Sequence, residues 1–165
     1  ILSFEQIEAA VLNVARYDVF KLGEAVLAGQ VNRALRMLEG LQAEGEAAVL
    51  VHWTLAEDIR GLKRIKDAMA DGKPLPMALK EARVWGVKER LYERVLPALA
   101  DHQLSHLVQA ASICDGVIKG LKHPDWPLDP WTALKRLMLL VMQQVLSAPG
   151  GRAAAATPKL QLVLQ

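Results

Sequence analysis

The chain has 165 residues, 52% hydrophobic and 23% charged, with a formal net charge of +2. That describes one globular domain with enough length for a real core; it excludes a histone-like polycation and an acidic tail. Cys114 is the single cysteine, so no intramolecular disulfide can form and a reducing compartment is expected. No apolar run reaches the ~18–20 residues of a membrane span, and Ile1–Leu2 lacks the flanks of a signal peptide. With no initiator Met, the chain is expected to be a piece of a longer protein.

The elements are helical throughout. Ser3 and Gln6 form a capping box, with Leu2 and Ile7 placed for a hydrophobic staple. Ile7, Val11 and Val14 then recur at helical spacing to about Tyr17. Asp18 is expected to cap a short helix that Gly29 stops near Ala28. A third helix carries Val31, Leu35, Leu38 and Leu41 on one face and ends at Gly45. A long helix follows over about 46–70, roughly 37 Å at 1.5 Å per residue, with Leu55, Ile59, Leu62, Ile65 and Met69 inward. Arg60, Lys63 and Arg64 lie opposite. Glu57 and Asp58 read as helix-surface partners.

After Lys73-Pro74-Leu75-Pro76 comes a short helix to Ala82, a turn at Trp85-Gly86, and a helix over about 87–99 that Pro97 kinks or ends. Asp101 is expected to cap a helix to Lys119, with Leu104, Leu107, Val108, Ala111, Cys114 and Ile118 inward. A Pro-rich loop spans 120–128. Asp129-Pro130 then caps a last helix built on Leu134, Leu137, Met138, Val141 and Val145. Residues 147–165 read as a flexible tail. The expectation is an all-α bundle of seven to eight helices, without a fixed-period repeat.

Chemistry-bearing motifs are missing. Gly72-Lys73 is followed by Pro74, which leaves no phosphate loop, and neither G-x-S-x-G nor H-E-x-x-H occurs. His102 and His106 could supply two ligands from one helix face, fewer than a zinc site needs. They support only the weakest reading, a small helical enzyme. Cys114 reads as a buried hydrophobe. Two features remain open. The side carrying Arg60, Lys63 and Arg64 is either a solvated face, a phosphate track or a match for an acidic partner. Trp126, beside Lys122 and His123, is either a plug on the helix ends or a platform for an unpaired base.

The segments Asn13–Phe20, Arg33–Leu38, Leu41–Glu46, Leu55–Arg60, Glu81–Gly86 and Asp115–Gly120, and the motif Asp129-Pro130-Trp131, together resemble the delta-subunit family of bacterial DNA polymerase III clamp loaders. They fall in order across about 3–140. The resemblance implies the end of a helical lid at 1–17 and a C-terminal collar at 18–146. Its ATPase-like domain, which holds the clamp-opening wedge, is missing. It implies partners of the gamma/tau and delta-prime type, contact with the sliding clamp only through that missing domain, and a cytoplasmic setting. No cofactor and no catalytic role are implied, although the parent assembly is a nucleotidyltransferase. The collar's inner rim would lie near primer–template DNA, with Arg60, Lys63, Arg64, Lys122 and Trp126 as candidate contacts. The 121–128 loop is longer than the family's usual link.

Overall fold

The computed structural model describes residues 1–147. Among them are α1 (Phe4–Leu27), α2 (Val31–Ala43), α3 (Ala48–Ala70), α4 (Leu75–Glu81), α5 (Gly86–Val95), α6 (Asp101–Ile118) and α7 (Pro130–Leu146), plus a 3₁₀ turn at Leu96–Ala98, and no strand. The fold class is all-α, as the periodicity predicts. Residues 148–165, most of the expected tail, lie outside the described residues.

The break expected at Tyr17/Asp18 is absent: α1 runs through it without interruption. No Gly or Pro stands there, and an interior Asp costs well under 1 kcal/mol relative to Ala. Val19, Leu22, Ala25 and Val26 are fully buried beyond the supposed break, and α1 packs on α2, α3, α5 and α7. That burial outweighs the capping preference of Asp18. The earlier part of α1 is different. Phe4, Ile7, Val11 and Val14 are all exposed. Its start is closed by the expected box: Gln6 N–H donates to Ser3 Oγ at 3.2 Å and Ser3 N–H to Gln6 Oε1 at 2.9 Å.

α3 is the axis of the core. Leu55, Ile59, Leu62 and Ile65 are buried, with Met69 half-buried at the end of the stripe. Its largest interface is with α6, which in turn packs on α7. On α6 the buried face is Leu104, Leu107, Ala110, Ala111, Cys114 and Val117. Val108 and Ile118 are half-buried on its border. The cap of α6 is Ala100, not Asp101. Gln103 Oε1 accepts the Ala100 N–H at 2.7 Å, while the Asp101 carboxylate accepts from Lys63 Nζ at 2.9 Å. An acid in the first turn still suits the helix dipole. α7 begins as predicted: Asp129 Oδ2 accepts from Thr132 N–H and Thr132 Oγ1, both at 2.8 Å, with Pro130 in the first turn.

Buried polar atoms are matched. No buried side-chain N or O among the described residues lacks a partner. His52, on α3, places Nε2 2.7 Å from the Ala111 carbonyl of α6. Burial pushes the Cys114 thiol up to about 12, with help from the nearby Asp115 charge. It is an inert core group at neutral pH.

Candidate nucleic-acid interface

A cleft of about 700 Å³ opens between α1, the first half of α3 and the α4–α5 junction, lined by Arg16, Phe20, Leu50, Trp53, Thr54, Glu57, Asp58, Arg83 and Lys88. A smaller recess of about 200 Å³ continues from it, sharing Phe20, Asp58, Arg83 and Lys88 and adding Val84, Trp85 and Tyr92. Phe20, Trp53 and Trp85 are 46%, 58% and 71% exposed. Large aromatics cluster in the open only where something uses them.

The floor is a buried polar network of Asp58, Lys88 and Tyr92. Asp58, expected on the solvated side of α3, has 14% of its side chain exposed, and Lys88 of α5 has 10%. Lys88 Nζ donates to Asp58 Oδ2 at 2.5 Å and Tyr92 O–H to Asp58 Oδ1 at 2.8 Å. Lys88 Nζ also lies 4.9 Å from the Phe20 ring centroid, a cation–π contact. Burial raises the Tyr92 hydroxyl well above its ordinary value, and the Asp58 charge adds to that. Tyr92 therefore stays protonated as a donor.

Two helix-interior glycines make room for this network. A Cβ on Gly23 would stand 2.9 Å from Asp58 Oδ2 and 3.0 Å from Lys88 Nζ; one on Gly61 would stand 3.2 Å from the Tyr92 oxygen. Asp58, Lys88 and Tyr92 thereby tie α3 to α5 under the α4–α5 junction, where Trp85 and Arg83 sit.

The cleft's charges fall into two groups. Asp58 is neutralised by Lys88 and Glu57 by Arg60, at 2.9 Å. No ion pair among the described residues engages Arg16 or Arg83. What stays available is two guanidiniums and three aromatic faces, donors and stacking surfaces with no convergent acid–base pair. Aromatic faces stack on planar groups, and guanidiniums pair with anions.

The predicted contacts distribute as follows. Arg60 stands on the rim through its pair with Glu57. Arg64 is exposed and close enough for its charge to act on Tyr92. Lys63 is drawn to Asp67 at 2.6 Å and Asp101 at 2.9 Å. Lys122 is exposed in the α6–α7 loop. Trp126 is half-buried against the core, with the Arg136 guanidinium 5.4 Å from its ring centroid and Arg136 Nη1 donating to the Asp125 carbonyl at 2.5 Å. No hydrogen bond among the described residues joins that loop to the basic side of α3. His102 and His106 are exposed with ring centroids 6.4 Å apart. No cluster of three metal-ligating side chains occurs among the described residues. Sequence reasoning missed Trp53, and it used Arg16, Phe20, Arg83 and Trp85 in resemblance motifs or the Trp85-Gly86 turn without marking them as site residues.

Residues 19–148 match the family described as the processivity clamp loader gamma complex, DNA polymerase III C-terminal domain. The chain is 28% identical over 146 residues to the DNA polymerase III subunit delta of Escherichia coli (strain K12), an alignment covering 88% of this chain and 41% of that protein. Its fold matches the Bacillus subtilis DNA clamp loader delta protein with a TM-score of 0.58 at 13% identity, over 78% of this chain and 37% of that one. The chain thus spans about two-fifths of the length of these relatives.

Proposed function

The chain belongs to the family of clamp-loader DNA polymerase III C-terminal domains, and on that premise we propose that it is the oligomerisation (collar) module of a delta subunit. Residues 1–17 are then the end of the lid and 18–146 the collar. Two observations support this division: the family match begins at residue 19, and core burial begins at Val19. The module associates with gamma/tau- and delta-prime-type subunits in the cytoplasm. It reaches the sliding clamp only through a domain outside this chain, and it has no catalytic role. No described helix is long and apolar enough to cross a membrane.

The same module contacts the primed DNA that a loader handles, through the α1–α3–α5 cleft. The observation that carries this is the grouping of Phe20, Trp53 and Trp85, all exposed, with Arg16 and Arg83, which no ion pair engages among the described residues. Bases stack on the aromatics without sequence preference, and guanidiniums meet phosphates. Arg60 and Arg64 extend the basic rim; Lys63, held by Asp67 and Asp101, and Lys122 and Trp126, at the other end of α6, are separate candidate contacts.

Fluorescence anisotropy with a primed template tests the DNA reading. Salt-sensitive binding is expected, with Trp85→Ala or Trp53→Ala each removing about 1–3 kcal/mol, the worth of one stacked base. Trp126→Ala should matter less, because its ring is packed and covered by Arg136. A flat titration at low salt removes the DNA contact. Pull-down with gamma/tau and delta-prime subunits tests the collar: no association by the folded chain refutes it.

A further inference from the structure

The outward side of α6 is built unlike those of its neighbours. Between Asp101 and Asp115 the helix carries no Lys, Arg, Asp or Glu. His102, Ser105, His106, Gln109 and Ser112 are the exposed residues of that stretch. Other helices keep charge on their exposed sides: Arg36 and Glu39 on α2, Arg60 and Arg64 on α3, Arg90 and Glu93 on α5. A solvated helix face ordinarily holds such groups. Depletion of charge marks a surface that becomes covered.

The same face holds metal-ligating groups. His102 and His106 stand four positions apart and so share one side of the helix. Their ring centroids are 6.4 Å apart, with the planes at 87°. A Zn–N bond of about 2.0–2.1 Å places two rings on one tetrahedral ion with their centres roughly 5 Å apart, so side-chain rotations closing about 1 Å make the pair a chelate. Both rings are exposed, and no ion pair among the described residues engages either. Lys63, which reaches the start of α6, is balanced by Asp67 and Asp101 at 2.6 and 2.9 Å.

Two imidazoles leave a tetrahedral ion half-coordinated, since a closed zinc site takes four ligands. No cluster of three ligating side chains occurs among the described residues, so the missing pair comes from another molecule. A second copy supplies it in kind. A two-fold axis passing between His102 and His106 sets four imidazoles around one ion, and it brings together two uncharged faces.

We propose that α6 carries half of a metal site, and that a borderline divalent cation such as Zn²⁺ joins two copies of the chain through His102 and His106 of each. Imidazole suits such cations. Ser105, exposed between the two histidines, is small enough to let the helices approach. The site shares no residue with the α1–α3–α5 cleft, so it stands or falls apart from the DNA reading.

Sedimentation velocity of the whole chain, first in EDTA and then with Zn²⁺ added in steps, tests this. The mass should double from 18.1 kDa, with an end point of one zinc per two chains, and EDTA should reverse the change. By symmetry H102A or H106A removes two of the four ligands, so neither variant should dimerise at zinc concentrations that saturate the parent. H123A, altered in the α6–α7 loop, should dimerise like the parent. In EDTA the α6 variants should melt with the parent, because both rings are exposed; that separates loss of the site from loss of the fold. Co²⁺ in place of zinc should give the strong visible absorption of a tetrahedral ion with the parent and not with H102A or H106A. The proposal is overturned by zinc taken up without a change of mass, by a zinc-induced dimer that forms as well in H102A or H106A, by a dimer already complete in EDTA, by an α6 variant that melts lower in EDTA, or by no uptake at all.

Discussion

Replacing Asp58 with alanine removes the acceptor of two hydrogen bonds at once, from Lys88 Nζ at 2.5 Å and Tyr92 O–H at 2.8 Å. Lys88 would be left with 10% of its side chain exposed and only the Phe20 ring, 4.9 Å away, to meet its charge. Breaking one side of a buried pair costs roughly 3–5 kcal/mol; part of that is recovered if the lysine stem swings its head to solvent. A loss of about 3 kcal/mol follows, or about 10 °C in melting temperature for a domain of this size. Thermal unfolding followed by circular dichroism at 222 nm measures it. The companion change, D58L with K88M, replaces the pair by apolar groups and should restore most of the loss, because no uncompensated charge remains. A drop under about 1 kcal/mol for Asp58→Ala, the range of an exposed ion pair, would refute the assignment of Asp58 and Lys88 as a buried clamp between α3 and α5.

Two glycine substitutions should move in opposite directions. Gly40→Ala in α2 meets nothing within 4 Å and should gain about 0.5–1 kcal/mol from helix propensity. Gly23→Ala would press on the Asp58–Lys88 pair at 2.9 and 3.0 Å and should lose about 1–2 kcal/mol despite the same propensity gain; urea unfolding of both variants reads the sign. The hydrogen bond and charge of Lys63 hold the Asp101 carboxylate below its ordinary range. A lowered folded value means that this contribution is present above the unfolded value near 3.9 and fades as pH falls through the folded one. An NMR titration should therefore place Asp101 low in the parent and return it to the ordinary range in Lys63→Ala. Cys114, pushed to about 12 by burial, should ignore a thiol reagent at pH 8 and react with one equivalent only after unfolding.

Elements set by local signals were legible, and those set by distant partners were not. The α3 stripe is a 3.6-residue pattern on adjacent turns, and Asp129-Pro130 closes its own helix within three residues. Asp18 and Asp101 look like equally good caps, and each is diverted by something a local reading lacks. For Asp18 it is the burial of Val19 and Leu22 immediately beyond. For Asp101 it is a lysine 38 positions away. The pairing of Asp58 with Lys88 spans 30 positions, so the motif Glu57-Asp58 offered no reason to separate its two members. Glu57 does stay on the surface with Arg60, whereas Asp58 turns inward.

The cleft becomes legible only in the fold, through residues that break local rules. Gly23 and Gly61 sit inside helices, where each costs up to about 1 kcal/mol relative to alanine. Arg83 stands where four other helix ends have glycine. Phe20, Trp53 and Trp85 forgo burial in a chain whose smaller aliphatics fill the core. Each violation alone is unremarkable in a sequence, but the fold brings all six to one place. The two glycines admit the polar floor, the floor fixes α5 against α3, and that junction presents the arginine and the aromatics. Conflicts between local preference and native structure concentrate where a fold is under a second requirement. Here that requirement is a surface kept open, since every departure either clears space beneath the cleft or leaves a side chain uncovered above it.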